Sequence, residues 1–203
     1  MSERKTDYHH GDLRAALIRA GGALLDEGGW EALSLRACAA RAGVSHAAPA
    51  HHFGGRRGLL TALAADAFAR FADALGHARE TAVSREGEAR PDAALRAAGV
   101  AYVRFARANP GPFKLMFGAA DLDFADPEFR AVRRAAYEEL GLLVRPYLVD
   151  PADAAEDRRL RLLVWSSVHG YAHLLISGQI DAAPDDPAAD RPPFDLVPLL
   201  RGD

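Results

Sequence analysis

Apolar positions recur at three- and four-residue steps along nearly the whole chain. Leu13, Leu17, Ala20 and Leu24 form one stripe, with Arg14, Arg19 and Asp26 off it, so about residues 12–27 read as a helix with one core-facing side. Gly28 and Gly29 stop it. A second helix is expected at about 34–42, with Ser34 as N-cap, Leu35, Cys38 and Ala39 inside, and Gly43 ready to take the positive φ that ends it. Ser45 is placed to cap a third helix running to about Phe53, which Gly54 and Gly55 break. A long fourth, about Arg57 to Thr81, keeps Leu60, Leu63, Ala67, Phe71 and Leu75 on one side. Residues 82–90 are charged and unpatterned and read as a loop.

The helical pattern resumes at about 91–108, is stopped by Asn109-Pro110, and returns briefly at 112–118. Asp126-Pro127 and Asp150-Pro151 each look like an N-cap followed by proline at the first helical position, opening segments of about 127–148 and 151–178. The stretch from Asp181 to Pro193, rich in Asp, Pro and Ala, is expected to be mobile, and a short apolar tail runs from Phe194 to Leu200. Strand-like alternation is nowhere evident, nor is a repeat, so the fold class is all-α.

Composition agrees. The chain has 203 residues, 49% hydrophobic and 26% charged, enough for one or two globular domains, and its 43 alanines favour helices. Apolar runs such as Leu162 to Trp165 fall far short of the ~20 residues of a membrane span, and the first ten residues are polar, so neither membrane passage nor secretion is expected. The lone Cys38 makes no internal disulfide, which fits a reducing cytoplasm. The net charge of -3 speaks against wholesale nucleic-acid coating, but it is uneven. Residues 1–60 carry eight basic against six acidic side chains and five of the eight histidines (His9, His10, His46, His51, His52); the remainder carries 17 against 22. Phosphate binding works by local neutralisation, so the first 60 residues are where to look for it.

Within them, residues 33–60 are the informative stretch. Ala39 is small where a second helix must cross closely, Gly43 makes the turn and Val44 plugs the angle, which is helix-turn-helix geometry. Such a pair pushes the start of its second helix into a major groove. That start holds Ser45, His46, Ala47 and Ala48, followed by His51 and His52. Small residues let the backbone approach bases, and imidazole donates or accepts at base edges and phosphates.

Ala39, Gly43, Val44, Ser45, His52, Phe53, Arg56, Leu59 and Leu60, behind the lead helix YHHGDLRAALIRAGGALLDEGG, resemble the N-terminal signature of the TetR/AcrR family of helix-turn-helix transcriptional regulators over about residues 8–65. Further on, WSSVHG, with Trp165, His169 and Gly170, is similar to the Trp-His-Gly signature of one C-terminal subfamily. The resemblance implies an all-α homodimeric repressor, with residues 1–57 as the three-helix DNA-binding domain and 58–203 as a helical effector-binding and dimerisation bundle. It implies contacts to double-stranded operator DNA from Ser34, Arg36, Ser45, His46, Ala47, His51, His52 and Arg56. Two positions depart from the pattern: Ala50 stands where relatives usually have a phosphate-binding tyrosine, and Pro49 precedes it. After Gly178 the chain offers only a Pro-rich linker and a stub in place of the last long helix that relatives pair across their dimer, so the interface either leans on 151–178 or is smaller than usual.

Phe68, Phe71, Tyr102, Phe105, Phe113, Phe117, Tyr137, Trp165, Tyr171 and His169 lie in the segments that form the family's effector cavity, with Tyr102, His169 and Arg104 as its polar groups. Singly, each aromatic is as well explained by core packing; together they suit a small apolar or amphipathic effector. His169 and His173 share a helix face, but no carboxylate or HExxH accompanies them, so neither a metal nor another cofactor is expected, and no catalytic group either. Cys38 reads as a small buried hydrophobe. The rival reading, prompted by Ala50 and the scarcity of lysine, is a helical oligomer that binds small molecules with weak or lost DNA binding.

Without the phenol, anchoring falls to histidines and arginines. A histidine of ordinary pKa, about 6.5, gains charge as pH falls through that range. Operator affinity is therefore expected to rise as pH drops from about 8 to 6; fluorescence anisotropy at fixed salt checks this, and a flat response refutes it.

Overall fold

The computed structural model describes residues 10–85, 91–118, 121–181 and 186–201. Its helices are α1 (His10–Ala32), α2 (Leu35–Ala42), α3 (Ala48–Phe53), α4 (Arg56–Arg85), α5 (Pro91–Ala108), α6 (Pro110–Phe117), α7 (Pro127–Val144), α8 (Ala154–Ile176) and α9 (Val197–Arg201), with 3-10 turns at Arg145–Tyr147 and Pro187–Asp190. Among the described residues there is no strand, and no helix long and apolar enough to cross a membrane. The chain divides into two compact units: residues 1–67 with 111–129, and residues 68–110 with 130–203.

In the first unit α1 is regular up to Gly29, whose φ of 71° and ψ of 175° break it where glycine was expected to, and Trp30 to Ala32 add a further turn. Ser34 caps α2 as expected, its hydroxyl oxygen accepting from the Ala37 N–H at 3.1 Å. At the other end Gly43 adopts the left-handed conformation (φ 69°), which a side chain would strain, and Val44 N–H returns to the Ala39 carbonyl at 3.0 Å. Cys38 and Ala39 are fully buried with Leu17, Leu59 and Leu60. The third helix starts later than expected: Ser45 contributes its carbonyl to the Ala48 N–H at 3.0 Å, and no side chain caps the helix at Ala47.

The start of α6 docks on the end of the regular part of α1. The Gly111 N–H donates to Asp26 Oδ1 at 3.0 Å, and a Cβ on Gly111 would lie 2.4 Å from the Leu25 carbonyl group. The α6–α7 loop is tied to α4. Buried Thr61 donates to the Arg57 carbonyl (2.8 Å) and accepts from Asp123 N–H (2.9 Å), while Arg57 pairs with Asp121 and Asp123 and donates to the Leu122 carbonyl.

In the second unit α5 packs on α8 through small and branched residues. Leu160, Val164, Val168 and Ala172 recur every four positions on α8 and face Ala94, Ala98, Tyr102, Val103 and Ala106 of α5 in the buried core. The N-cap of α8 is Asp153, whose carboxylate accepts from Ala155 and Glu156 N–H groups, while Asp150 closes its own turn on Ala152 N–H. α7 ends at Val144 because Pro146 cannot continue it, earlier than the expected 148. α4 continues to Arg85 instead of stopping at 81; the rest of the expected loop, 86–90, lies outside the described residues. The stretch expected to be mobile is a correction in part: residues 182–185 lie outside the described residues, but Ala189 and Asp190 are buried.

The contrast between two glycines tests this packing. Gly22 lies within α1 with open space around its Cβ position, so Gly22→Ala is expected to stabilise by up to ~1 kcal/mol, whereas Gly111→Ala forces backbones apart and costs about 2 kcal/mol or more. Urea unfolding followed by circular dichroism reads both; equal effects would mean that α6 does not bear on α1 as described.

Candidate functional site

The first unit presents α2 and α3 as a helix-turn-helix, and its polar residues sort into those used by the fold and those left outside. Pro49 points inward and is buried, so the outer side is made by Ser45, His46 and Ala47 in the turn entering the second helix and by Ala50 and His51 on it, all exposed. His52 is half-buried, its ring between those of His51 (5.8 Å) and Phe53 (6.3 Å). Ser34 and Arg36 are exposed at the start of α2, where open N–H groups and the helix dipole favour an anion.

Arg56 has a second employment that sequence reasoning missed. Its Nε donates to the Leu33 carbonyl at 2.9 Å and its Nη2 to the carbonyls of Trp30 (2.6 Å) and Glu31 (3.3 Å). These carbonyls belong to the end of α1 and the segment entering α2, where the helix ladder cannot serve them. The signal in the sequence was indirect: a broken helix end followed by an arginine at the start of a later helix. Arg41 pairs with Glu27 at 2.7 Å, which holds the Glu27 carboxyl below its usual range and offsets that arginine's charge. Cys38 donates its thiol to the Leu17 carbonyl at 3.3 Å, and burial pushes its pKa up, so it is an inert core group.

The expected effector residues do not all meet. In the second unit Phe71 stands edge-on to Tyr102 (4.8 Å) and Phe105 (5.2 Å). The Tyr102 hydroxyl is hydrogen-bonded to His169 Nδ1 at 2.9 Å and accepts from the Trp165 indole N–H. Burial pushes the Tyr102 hydroxyl far above its ordinary range and, with His173 close by, pushes His169 down, so both are neutral at pH 7. A polar cluster of Tyr102, Trp165 and His169 thus sits against an aromatic wall. Phe68 is buried in the same unit. Phe113 and Phe117 pack on each other at 5.0 Å in the first unit, and Tyr137 is 41% exposed beneath the Arg161 guanidinium, 4.8 Å away.

Arg104 turns to Asp190 (3.0 Å), which also takes Arg107 (2.6 Å). Asp190 was missed because it lies in a stretch whose composition reads as mobile. Among the described residues no three His, Cys, Asp or Glu side chains gather as a metal ligand set.

The Arg56 clasp is separable from any DNA contact. Arg56→Ala is expected to destabilise the protein by about 1–2 kcal/mol, and Arg56→Lys to recover less than half of that, since an ammonium cannot span three carbonyls. His46→Ala, at an exposed position, should leave stability within about 0.5 kcal/mol. Thermal unfolding in the absence of DNA reads these differences, and an unperturbed Arg56→Ala protein would remove the structural role.

Comparison with known proteins bears on both units. Residues 17–63 match the family described as bacterial regulatory proteins, tetR family, and residues 95–191 match the tetracyclin repressor-like C-terminal domain. A solved protein of unknown function from Rhodococcus sp. RHA1 is 34% identical, with 92% of each chain covered and a TM-score of 0.71. A TetR-family transcriptional regulator from Streptomyces coelicolor (24% identity, 96% and 94% covered, TM-score 0.61) and the TetR-family regulator PfmR from Thermus thermophilus (24%, 92% and 93%, TM-score 0.56) share the fold. A search of curated proteins found no match. With the helix-turn-helix at its head and a matching helical C-terminal domain behind it, the chain belongs to the TetR family of bacterial transcriptional regulators.

Proposed function

We propose that the protein is a homodimeric repressor acting in the cytoplasm, in which residues 1–57 bind half of an operator and residues 58–203 carry the dimer contact and a small apolar or amphipathic effector that releases the DNA. The observation that carries this reading is the exposed turn entering α3, with Ser45, His46 and Ala47 outward just ahead of a helix whose Pro49 is spent on the core. Ser34 and Arg36, with His51 and His52, suit the flanking phosphates, and Arg56 has only its outer edge to add. Ala50 is exposed and brings no phenol, so backbone anchoring is thinner than in tyrosine-bearing relatives. Within the family, Trp165, His169 and Gly170 support assigning the chain to the Trp-His-Gly subgroup.

Phe71 and Phe105 beside Tyr102, Trp165 and His169 suit an apolar molecule with one hydrogen-bonding group. For the dimer, α7 exposes Tyr137 and Leu142, and α8 exposes Leu162 and Leu174. Pairing α7 and α8 about a two-fold axis would take these exposed side chains out of water. Effector and operator then select different arrangements of the dimer, so each weakens the other's binding by the same factor.

A labelled duplex from the DNA flanking its own gene tests the reading by anisotropy. Two chains are expected per site, and Leu162→Glu is expected to give monomers in sedimentation with operator affinity reduced ~100-fold or more. Absence of binding to any flanking fragment would favour the helical oligomer without DNA binding.

A further inference from the structure

Residues 186–201 run along α5 in the opposite direction, tied to it by charge. Arg201 pairs with Asp92 (2.6 Å), Asp195 is bound by Arg96 through Nε and Nη2, Pro192 lies opposite Gly99, Asp190 takes Arg104 and Arg107, and the Asp186 carbonyl accepts from Arg107 (2.9 Å). As positions climb on α5 they fall on this strap. It also touches α8: the Tyr171 hydroxyl donates to the Ala189 carbonyl at 3.3 Å and the Tyr171 ring meets Phe194 edge-on. Roughly 200° of helix turn separates Tyr171 from His169 and Arg104 from Tyr102, so the strap closes the α5–α8 seam on the side away from the polar cluster.

How the strap is held matters more than where. Its own backbone hydrogen bonds are local, such as Ala189 N–H to Asp186 and Leu200 N–H to Leu196. Its hydrogen bonds to α5 and α8 run through side chains, and its apolar hold is small: Ala189, Val197 and Leu200 are buried, while Leu199 is exposed. Segments of this kind open at far lower free energy than the helices beneath them. Asp190, with its side chain only 11% exposed between two arginines, is the pivotal tie, because losing it removes the bonds to Arg104 and Arg107 together and leaves the Asp186 carbonyl as the strap's hold on Arg107.

We propose that residues 186–201 are a releasable electrostatic clasp: docked, the strap holds α5 against α8 behind the partly exposed Tyr102–Trp165–His169 cluster; released, it lets the seam loosen and widens the effector's access to that cluster. The gating half rests on the effector reading above, but the clasp itself does not. The consequence is a regulator whose access to its effector depends on ionic strength, since the outer pairs, Arg96–Asp195 and Arg201–Asp92, lie where salt screens them.

The test uses the full chain in a Trp30→Phe background, so that Trp165 is the sole tryptophan. Asp190→Asn is expected to raise acrylamide quenching of Trp165 at least about twofold and to remove hydrogen-exchange protection from residues 186–201, with the helix signal in circular dichroism unchanged. The parent should move the same way between about 0.05 and 0.5 M NaCl, and the variant little further. The amphipathic dye 8-anilinonaphthalene-1-sulfonate serves as the effector probe and should bind the variant at least about threefold more tightly. Unchanged quenching and protection overturn the clasp, as does loss of α5 and α8 helicity together with the strap, which would make it ordinary core. Altered quenching with unaltered dye affinity overturns the gating alone. Operator binding is not a readout, so failure of the repressor reading would show separately.

Discussion

Ending a helix inside a small domain leaves carbonyls that the ladder cannot serve, and in the first unit everything else is fastened to that ending. Gly29 breaks α1, and the carbonyls of Trp30, Glu31 and Leu33 that follow are taken by Arg56 from the first turn of α4. One turn earlier, Asp26 receives Gly111 N–H and brings α6 against Leu25. The same segment leads directly into the Ser34 cap, so the angle at which α2 and then α3 leave the core is set by how α1 stops. The second helix of the helix-turn-helix has only six residues, too short to hold its own shape. Its rigidity is borrowed from α1 and α4.

What could be read ahead of the structure follows from how local each signal is. The Ser34 cap, the Gly43 turn and the buried pair Cys38 and Ala39 depend on neighbours within a few residues, and all three are as expected. The N-cap of α8 was displaced from Asp150 to Asp153 because both acids suit the position and only the competition between two adjacent turns decides. Pro146 lies within the expected span of α7 and ends the helix at Val144, a stop that the apolar periodicity around it masks. The strap was illegible for a different reason: its Asp, Pro and Ala composition matches a loop, and its partners Arg96, Arg104 and Arg107 lie some 80 to 100 positions away. Nothing local distinguishes an aspartate that meets two arginines from one that meets water. In the aromatic set, residue type alone could not separate the Phe71–Tyr102–Phe105 wall from the Phe113–Phe117 pair in the other unit; only the fold does.

Arginine carries nearly all the positive charge of this chain, and its use in the first unit bears on how DNA would be held. Arg14 pairs with Glu128, Arg41 with Glu27, and Arg57 with Asp121 and Asp123, while Arg56 is on backbone carbonyls. Guanidinium suits such work because its planar fork meets several acceptors at once. The exposed pairs are individually weak and do little for stability, yet each sets a carboxylate beside a cation and thins the field a phosphate would feel. With Ala47, Ala48 and Ala50 along the reading helix, side-chain reach is short as well. Under the proposed reading, His46 and His51 are the long exposed side chains left there, and the small ones around them would let the backbone approach base edges closely, so that fit to groove shape would count beside the number of charged contacts.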